Sequence, residues 1–146
     1  MILAVIKVRG HVGANPDVKK ALQLLGLLRT NHCVLLEKNE SNDKLLKSCI
    51  RYLTWGEISK ESLKKLVLKK GEKGSKRIKE IYSEKELEEI LEQIYSGKKK
   101  YSEFMDRIFR LHPPSKGYGN VKHIYPKGAL GERDRKEMED LIDQMC

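Results

Sequence analysis

The chain has few aromatic residues, few cysteines and no long apolar segment. Aromatic side chains make up 6% of its 146 residues, and the three cysteines, Cys33, Cys49 and Cys146, stand far apart without a CxxC pair. An odd number of scattered cysteines argues against a disulfide framework and against a zinc site, so we expect reduced thiols and no bound metal. No run of about 18 apolar residues is present, which argues against a membrane-spanning helix.

The first residues lack the features of a secretion signal. Residues 1–8 are apolar, but they have no basic start and no small-residue cleavage site, and Lys7 and Arg9 interrupt the apolar run. A secretory signal peptide requires the features that are missing. We therefore expect a cytoplasmic protein without a membrane partner.

Residue patterns that support catalysis are missing as well. The four histidines lie far apart and near arginine, proline or lysine, with no HxxxH or HExxH spacing. The segment GEKGSK lacks the spacing of a phosphate-binding loop. No nucleophile with an orienting base is apparent. We predict that the protein is not an enzyme and has no cofactor, metal or small-molecule substrate.

Positive charge is abundant, and it is concentrated in particular segments. Thirty Lys and Arg against twenty-one Asp and Glu give a net charge of +9. Residues 64–79 carry +7 and residues 98–127 carry +6, whereas the predicted helix between these segments is acidic. Basic loops with interleaved Tyr and His are typical of proteins that follow phosphates and stack on bases. This segregation favours a nucleic-acid partner over a merely solvated surface.

Apolar periodicity predicts a βαβαβ order in the first sixty residues. Residues 2–8 alternate as a strand whose basic end is expected to be exposed. Asn15 followed by Pro16 predicts the start of an amphipathic helix, and Asn42 is predicted to cap a second helix. The segments NHCVLLEK and YLTWGEI predict the second and third strands. This order suggests a small sheet with two helices on one face.

The second half of the chain has a different pattern. A helix is predicted to start at Ser59, and GEKGSK is predicted to be a loop. Ser83 and Glu86 have the spacing of a capping box for the acidic helix. Apolar residues at helical spacing predict a last helix within residues 131–146.

Five motifs in order resemble one protein family. They are LAVIKVRGHVG, RTNHCVLLE, YLTWGEIS, FRLHPPSKGYGNVK and KGALGERDRKEMEDLIDQM. Together they resemble the archaeal form of the L-thirty family of large-subunit ribosomal proteins, called L-seven in eukaryotes. The resemblance covers most of residues 1–145 and is weakest over residues 69–100.

The resemblance implies a fold and a function. The expected fold is α+β, with a two-layer, ferredoxin-like βαβαβ core over residues 1–60 whose sheet has three antiparallel strands. A mainly helical extension with a basic loop is expected over residues 61–146, packed on that core. The expected function is a structural constituent of the large ribosomal subunit, present as a monomer. Its expected partners are the large-subunit rRNA, near the 5S rRNA, and neighbouring ribosomal proteins.

The residues expected to bind RNA lie in the same motifs. Arg and Lys side chains hold phosphates, and Tyr and His rings stack on unpaired bases. Trp55 lies in one of the motifs, but a lone tryptophan beside a strand is more often buried. Phe109 and Leu111 are expected to anchor the loop that follows them. The predicted RNA-binding residues are Lys7, Arg9, His11, Arg29, Asn31, His32, Arg110, His112, Lys116, Tyr118, Lys122, His123 and Lys127.

Two other functions remain open from the sequence. A free-standing RNA-binding regulatory protein would bind RNA tightly and selectively away from the ribosome. A small enzyme acting on nucleic acid would show divalent-dependent turnover that is lost on mutation of one carboxylate.

Overall fold

A computed structural model describes most of the chain in ten ranges. They are residues 2–10, 13, 15–27, 29–37, 39–70, 72–73, 76–96, 108–114, 130–132 and 135–145. The central part of the predicted basic loop, residues 115–129, lies outside the described residues.

The centre of the fold is an antiparallel sheet from the first half of the chain. Strand β1 (Ile2–Lys7) lies between β2 (His32–Glu37) and β3 (Leu53–Glu57) and pairs antiparallel with both. This confirms the predicted α+β fold with its three-stranded antiparallel core. Two short strands from the second half extend the sheet: β6 (Ile108–Arg110) pairs antiparallel with β2, and β7 (Gly131–Glu132) pairs parallel with β3.

Helices cover both faces of this sheet. Helices α1 (Pro16–Leu25) and α2 (Glu40–Ser48) pack on one face, as expected for the βαβαβ core. On the other face pack three helices of the second half, α3 (Lys60–Lys70), α5 (Glu84–Tyr95) and α6 (Arg135–Met145). The central strands therefore have an apolar layer on each side.

The residues of β1 divide between these two layers. Ile2, Ala4 and Ile6 belong to the apolar cluster under α3, α5 and α6, and Leu3 and Val5 belong to the cluster under α1 and α2. All six residues of the strand are buried, including Lys7, whose exposure is 1%. The prediction that Lys7 is exposed is therefore wrong. A solvated face belongs to a sheet covered on one side, whereas β1 is the middle strand of a sheet covered on both sides.

Helix α2 begins earlier than predicted. Its N-cap is Asn39, whose side chain accepts a hydrogen bond of 2.8 Å from the N–H of Asn42. The prediction that Asn42 caps this helix is wrong, because Asn42 lies in its first turn. There its side-chain amide donates to the carbonyl oxygen of Glu37 at 2.7 Å. Asn39 thus caps α2, and Asn42 joins the helix to the end of β2.

The segment predicted as the GEKGSK loop contains a small hairpin. Strands β4 (Glu72–Lys73) and β5 (Lys76–Arg77) pair antiparallel, and the short helix α4 (Ile78–Ile81) follows directly. The loop prediction is wrong for Glu72, Lys73 and Lys76, because strands made only of charged residues have no apolar alternation to reveal them. The predicted capping box of α5 is confirmed: the N–H of Glu86 donates to Ser83 Oγ, and the N–H of Ser83 donates to the Glu86 carboxylate.

Candidate nucleic-acid interface

One end of the sheet carries basic side chains on three adjacent strands. His32 of β2 is opposite Arg110 of β6, and Cys33 is opposite Ile6 of β1. The antiparallel register of β1 and β2 therefore places His32 opposite Lys7. Neighbouring strands lie about 4.7–4.9 Å apart, so these three residues are direct neighbours. We call Arg110, His32 and Lys7 the basic row.

The basic row lies on the face of the sheet that carries α1 and α2. Side chains alternate between the two faces along a strand. Val34, two residues after His32, and Val5, two residues before Lys7, both belong to the apolar cluster under α1 and α2. The basic row therefore lies on the same face as that apolar layer, at its edge, and makes this end of the face cationic.

The backbone of Asn31 ties the strands of the basic row together. Its N–H donates to the carbonyl oxygen of Lys7 at 2.8 Å, and its own carbonyl oxygen accepts from the N–H of Leu111 at 3.3 Å. Asn31 has a φ of 67°, in the left-handed region that asparagine tolerates better than most residues. A bulky or β-branched residue at this position would strain the turn that positions His32.

Two arginines on neighbouring strands lie at the same end of the sheet. The N–H groups of Val8 and Arg9 both donate to the carbonyl oxygen of Tyr52, at 2.8 and 3.3 Å. These hydrogen bonds bring the start of β3, with the exposed Arg51, beside the end of β1. Arg9 is half-buried.

His112 and Arg29 complete this end. The N–H of His112 donates at 3.1 Å to the carbonyl oxygen of Met145 in the last turn of α6, and His112 itself is exposed. Arg29 is exposed shortly before β2. No Asp or Glu occurs in the strand and loop segments of this end, which are residues 7–9, 29–32, 51–53 and 110–112, and the last turn of α6 carries Asp143, which pairs with Lys65. The cationic end is the set Lys7, Arg9, Arg29, His32, Arg51, Arg110 and His112.

The surroundings of the basic row disfavour positive charge within it. Burial is the main cause that lowers the pKa of His32, and burial also lowers the pKa of Lys7. The pKa of His32 is lowered further by three neighbouring positive charges, those of Arg110, Arg29 and Lys7. The Nδ1 atom of His32 is buried without a hydrogen-bond partner among the described residues. A phosphate beside the row would relieve this repulsion, so the arrangement suits an anion.

The structure brings seven of the predicted RNA-binding residues to one end of the sheet. Trp55 is not exposed there: its exposure is 4% and it belongs to the cluster under α1 and α2, as its burial preference predicted. Phe109 and Leu111 are buried anchors, also as predicted. The seven residues are Lys7, Arg9, Arg29, Asn31, His32, Arg110 and His112. The other six lie outside the described residues and are His11, Lys116, Tyr118, Lys122, His123 and Lys127.

Sequence reasoning missed Arg51. The signal that would have found this residue is the strand order, because antiparallel pairing puts the start of β3 beside the end of β1. A basic residue just before β3 therefore meets the basic residues that end β1. The proximity of Arg51 to the end of β1 can be inferred only when the pairing of β1 and β3 is known, and no local motif contains it.

The described residues provide no metal site. They contain no group of three or more His, Cys, Asp or Glu placed to hold an ion. Within the described ranges, Cys33 and Cys49 are buried and form no disulfide, and burial raises the pKa of the Cys49 thiol. Among the described helices, none is both long and apolar enough to span a bilayer.

The fold and the cationic end define a small α+β protein with one surface suited to a polyanion. Comparison with known proteins gives a more particular result. The family model for ribosomal protein L30p/L7e matches residues 3–52. The chain is similar to the large ribosomal subunit protein uL30 of Methanococcus maripaludis, with 39% identity across 99% of both chains. It is also similar to the uL30 proteins of Nanoarchaeum equitans, with 36% identity across 97% of this chain and 96% of the relative, and of Thermoplasma volcanium, with 33% identity across 99% and 92%.

The chain belongs to the ribosomal protein L30p/L7e family. This confirms the resemblance found in the five motifs, and it confirms the prediction that the chain is not an enzyme, since the family is a structural, non-enzymatic part of the ribosome. The segment matched by the family model contains five of the seven residues of the cationic end, which are Lys7, Arg9, Arg29, His32 and Arg51.

Proposed function

We propose that the chain is a structural constituent of the large ribosomal subunit that binds rRNA through the cationic end of its sheet. Relatives named as large ribosomal subunit protein uL30 match the chain over nearly its whole length, which supports the assignment to the large ribosomal subunit. The observation that carries the RNA contact is the cationic end, where the basic row and further cations meet and their segments contain no Asp or Glu.

Each part of the cationic end has a role in this proposal. Arg29 and Arg110 are exposed, and a guanidinium group binds phosphate oxygens in a bidentate manner. Lys7 adds a buried positive charge at the centre of the sheet. The rings of His32 and His112 stack on a base or donate to a phosphate. Because hydrogen-bonded strands hold these residues in place, little ordering accompanies binding.

The finer parts of the proposal rest on the family resemblance. They are a position near the 5S rRNA, contacts with neighbouring ribosomal proteins, a single copy in the particle and a cytoplasmic location with the ribosome. We also propose that the residues predicted outside the described ranges add contacts to the same RNA. These residues are His11, Lys116, Tyr118, Lys122, His123 and Lys127.

Association of the protein with the large ribosomal subunit is tested by sedimentation. We expect the tagged full-length protein to co-sediment with large ribosomal subunits from its own cells and to stay bound through a wash at moderate salt. Persistent absence from purified large subunits would exclude the proposed role and would favour a free-standing RNA-binding regulator.

The RNA surface is tested by removing two of its charges. The variant Arg29→Gln/Arg110→Gln should bind large-subunit rRNA fragments more weakly, and its slope of log affinity against log salt should fall by roughly 1.4 to 1.8 units, at about 0.7–0.9 per phosphate contact. The control is Lys44→Gln/Lys60→Gln, which removes the same charge from exposed lysines that pair with Glu40 and Glu92. Equal slopes for variant and control would place the RNA elsewhere.

A further inference from the structure

Helix α3 uses the lysines of its first part to hold the other helices of its layer. Lys60 Nζ and Lys64 Nζ each lie 3.0 Å from a carboxylate oxygen of α5, on Glu92 and Glu88. Lys65 Nζ lies 3.9 Å from a carboxylate oxygen of Asp143 in α6. The hydrogen bond from Lys64 is the main cause that lowers the pKa of Glu88. These three lysines therefore have partners within the protein.

The cations that follow them in the chain have no carboxylate partner among the side chains that the structure describes. Glu80 and Glu84 are close in sequence, but neither lies within ion-pair distance of the last lysines of α3 or of the basic residues of β5. The side chain of Glu72, which is opposite Arg77 in the hairpin, lies outside the described residues. Most of these cations are exposed, and one, Lys70, is half-buried. We call this set the hairpin surface, and its members are Lys69, Lys70, Lys76 and Arg77.

The hairpin surface lies at the same end of the molecule as the basic row. Helices α3 and α6 run parallel, because the N–H of Ser59 donates to Glu139 at 3.0 Å and Lys65 meets Asp143 further along both helices. Helix α6 ends at the cationic end, where the carbonyl oxygen of Met145 accepts from His112. At about 1.5 Å per residue, the end of α3 at Lys70 lies roughly 7.5 Å beyond Lys65 in the same direction.

We propose that the hairpin surface binds the phosphate backbone of a second RNA segment, next to the segment held by the basic row. This inference rests on the proposed function, since that function supplies RNA as the ligand. Helix α3 then links the two roles: its first part joins the helical layer, and its last turn reaches the RNA.

The chemistry of the surface favours a phosphate backbone over a protein or a membrane. Protein interfaces have an apolar core, and helices that lie on membranes have an apolar face. Ile78, directly after Arg77, is fully buried. Among the described residues, the exposed large apolar side chain closest to Arg77 in sequence is Ile81 at 37%, which is too little for either partner. Exposed Lys and Arg without such a core are typical of contacts to phosphates.

The test removes three exposed charges and compares the result with a control of equal charge and with Arg29→Gln/Arg110→Gln. The hairpin variant is Lys69→Gln/Lys76→Gln/Arg77→Gln, and the control Lys44→Gln/Lys60→Gln/Lys136→Gln removes the same charge from exposed lysines elsewhere. Binding to large-subunit rRNA fragments is measured against salt, together with a chemical footprint of the RNA. We expect the slope of the hairpin variant to fall by roughly 2 to 2.7 units, at about 0.7–0.9 per contact. We also expect it to lose a protected RNA segment that Arg29→Gln/Arg110→Gln keeps.

Each other outcome overturns the inference in a distinct way. If the hairpin variant behaves like the control while Arg29→Gln/Arg110→Gln still weakens binding, the hairpin surface does not bind RNA and the proposed function stands. If both variants behave like the control, the proposed function fails as well. If the hairpin variant keeps the whole footprint but loses a neighbouring protein in reconstituted subunits, the surface binds protein.

Discussion

The two ends of the central sheet carry opposite charges and use them differently. At one end the strands present the basic row, in segments that contain no Asp or Glu. At the other end, the last residues of β2 and β3 are Glu37 and Glu57, which pair with Ile2 and Leu3 of β1. There a carboxylate oxygen of Glu57 lies 3.9 Å from Arg135, and Glu139 accepts from the backbone of Ser59. The acidic end thus binds the protein's own helix α6, whereas the cationic end suits an external polyanion.

This difference follows from the direction of the strands. Strands β2 and β3 begin at the cationic end and finish with Glu37 and Glu57, whereas β1 runs in the opposite direction and finishes with Lys7, so antiparallel pairing fixes each charge at its own end of the sheet. The acids stabilise the fold near the start of α3 and α6, and the bases lie where those helices finish. A single sheet therefore separates the residues that hold the extension from the residues proposed to hold RNA.

The largest expected effect comes from detaching the edge strand that carries Arg110. Phe109 is 1% exposed in the apolar cluster under α3, α5 and α6, opposite Cys33. Phe109→Ala should lower the free energy of unfolding by about 3–5 kcal/mol, measured by chemical denaturation. It should also weaken RNA binding, because β6 then no longer holds Arg110 in the basic row. The control Ile81→Ala, at a partly exposed position, should change both quantities little.

The Phe109 variant can also contradict the assignment of β6 to the RNA-binding end of the sheet. If it loses stability but binds RNA as tightly as the original chain, measured well below its unfolding midpoint, then β6 is not part of the RNA interface.

The second prediction exchanges charge between the two ends at constant net charge. Arg29→Glu/Arg110→Glu should lower RNA affinity by about 100-fold, from roughly 1.5 kcal/mol for each charged contact. Adding Glu37→Lys/Glu61→Lys, two exposed positions at the acidic end, restores the net charge of +9. Filter binding should still show the weak affinity. Recovery in the fourfold variant would mean that net charge alone attracts the RNA.

Local patterns predicted the parts of the fold that depend on local interactions. The capping box of Ser83 and Glu86 and the strand and helix order of the first sixty residues needed only spacing and residue type. The burial of Lys7 depends on which face of β1 lies under α1 and α2, and alternation alone does not decide that face, because both faces of β1 are apolar. The second helical layer, on the other face, comes from residues far along the chain. The edge strands β6 and β7 likewise pair with residues more than seventy positions away. Such pairings leave no trace in a short window.

The boundary between the proposed core and extension stays a prediction. Ile6 of the first sixty residues and Phe109 and Leu141 of the rest share one apolar cluster, which does not show how either part would fold alone. The RNA-binding residues also stay a prediction, although the motifs named seven residues that the structure brings together. Arg51 was missed, and the residues of the hairpin surface were recognised only as part of the basic segment 64–79, because their position depends on strand pairing and on the parallel course of α3 and α6.

The smallest expected effect is a pH dependence that arises in the basic row. The pKa of His32 is lowered in the folded chain by burial and by the charges of Arg110, Arg29 and Lys7. An unfolded histidine titrates near about 6.5, so the contribution of His32 to stability is fully present above that pH. It is lost as the pH falls toward the lower folded value, because the unfolded chain then binds the proton more readily. A phosphate beside the row acts in the opposite direction, since its negative charge raises the pKa of His32.

RNA binding should therefore tighten as the pH falls from about 8 to about 6, while the stability of the protein alone decreases. The change in affinity should stay below about tenfold per pH unit, because His32 takes up at most one proton. His32→Gln should weaken both pH dependences, and the control Lys44→Gln, which removes an exposed charge outside the cationic end, should keep them. Binding titrations and thermal unfolding over this range measure the two effects. A loss of stability at low pH with RNA affinity that does not change would show that no phosphate lies beside His32, and the comparison of the two ends would then have to rest on the arginines alone.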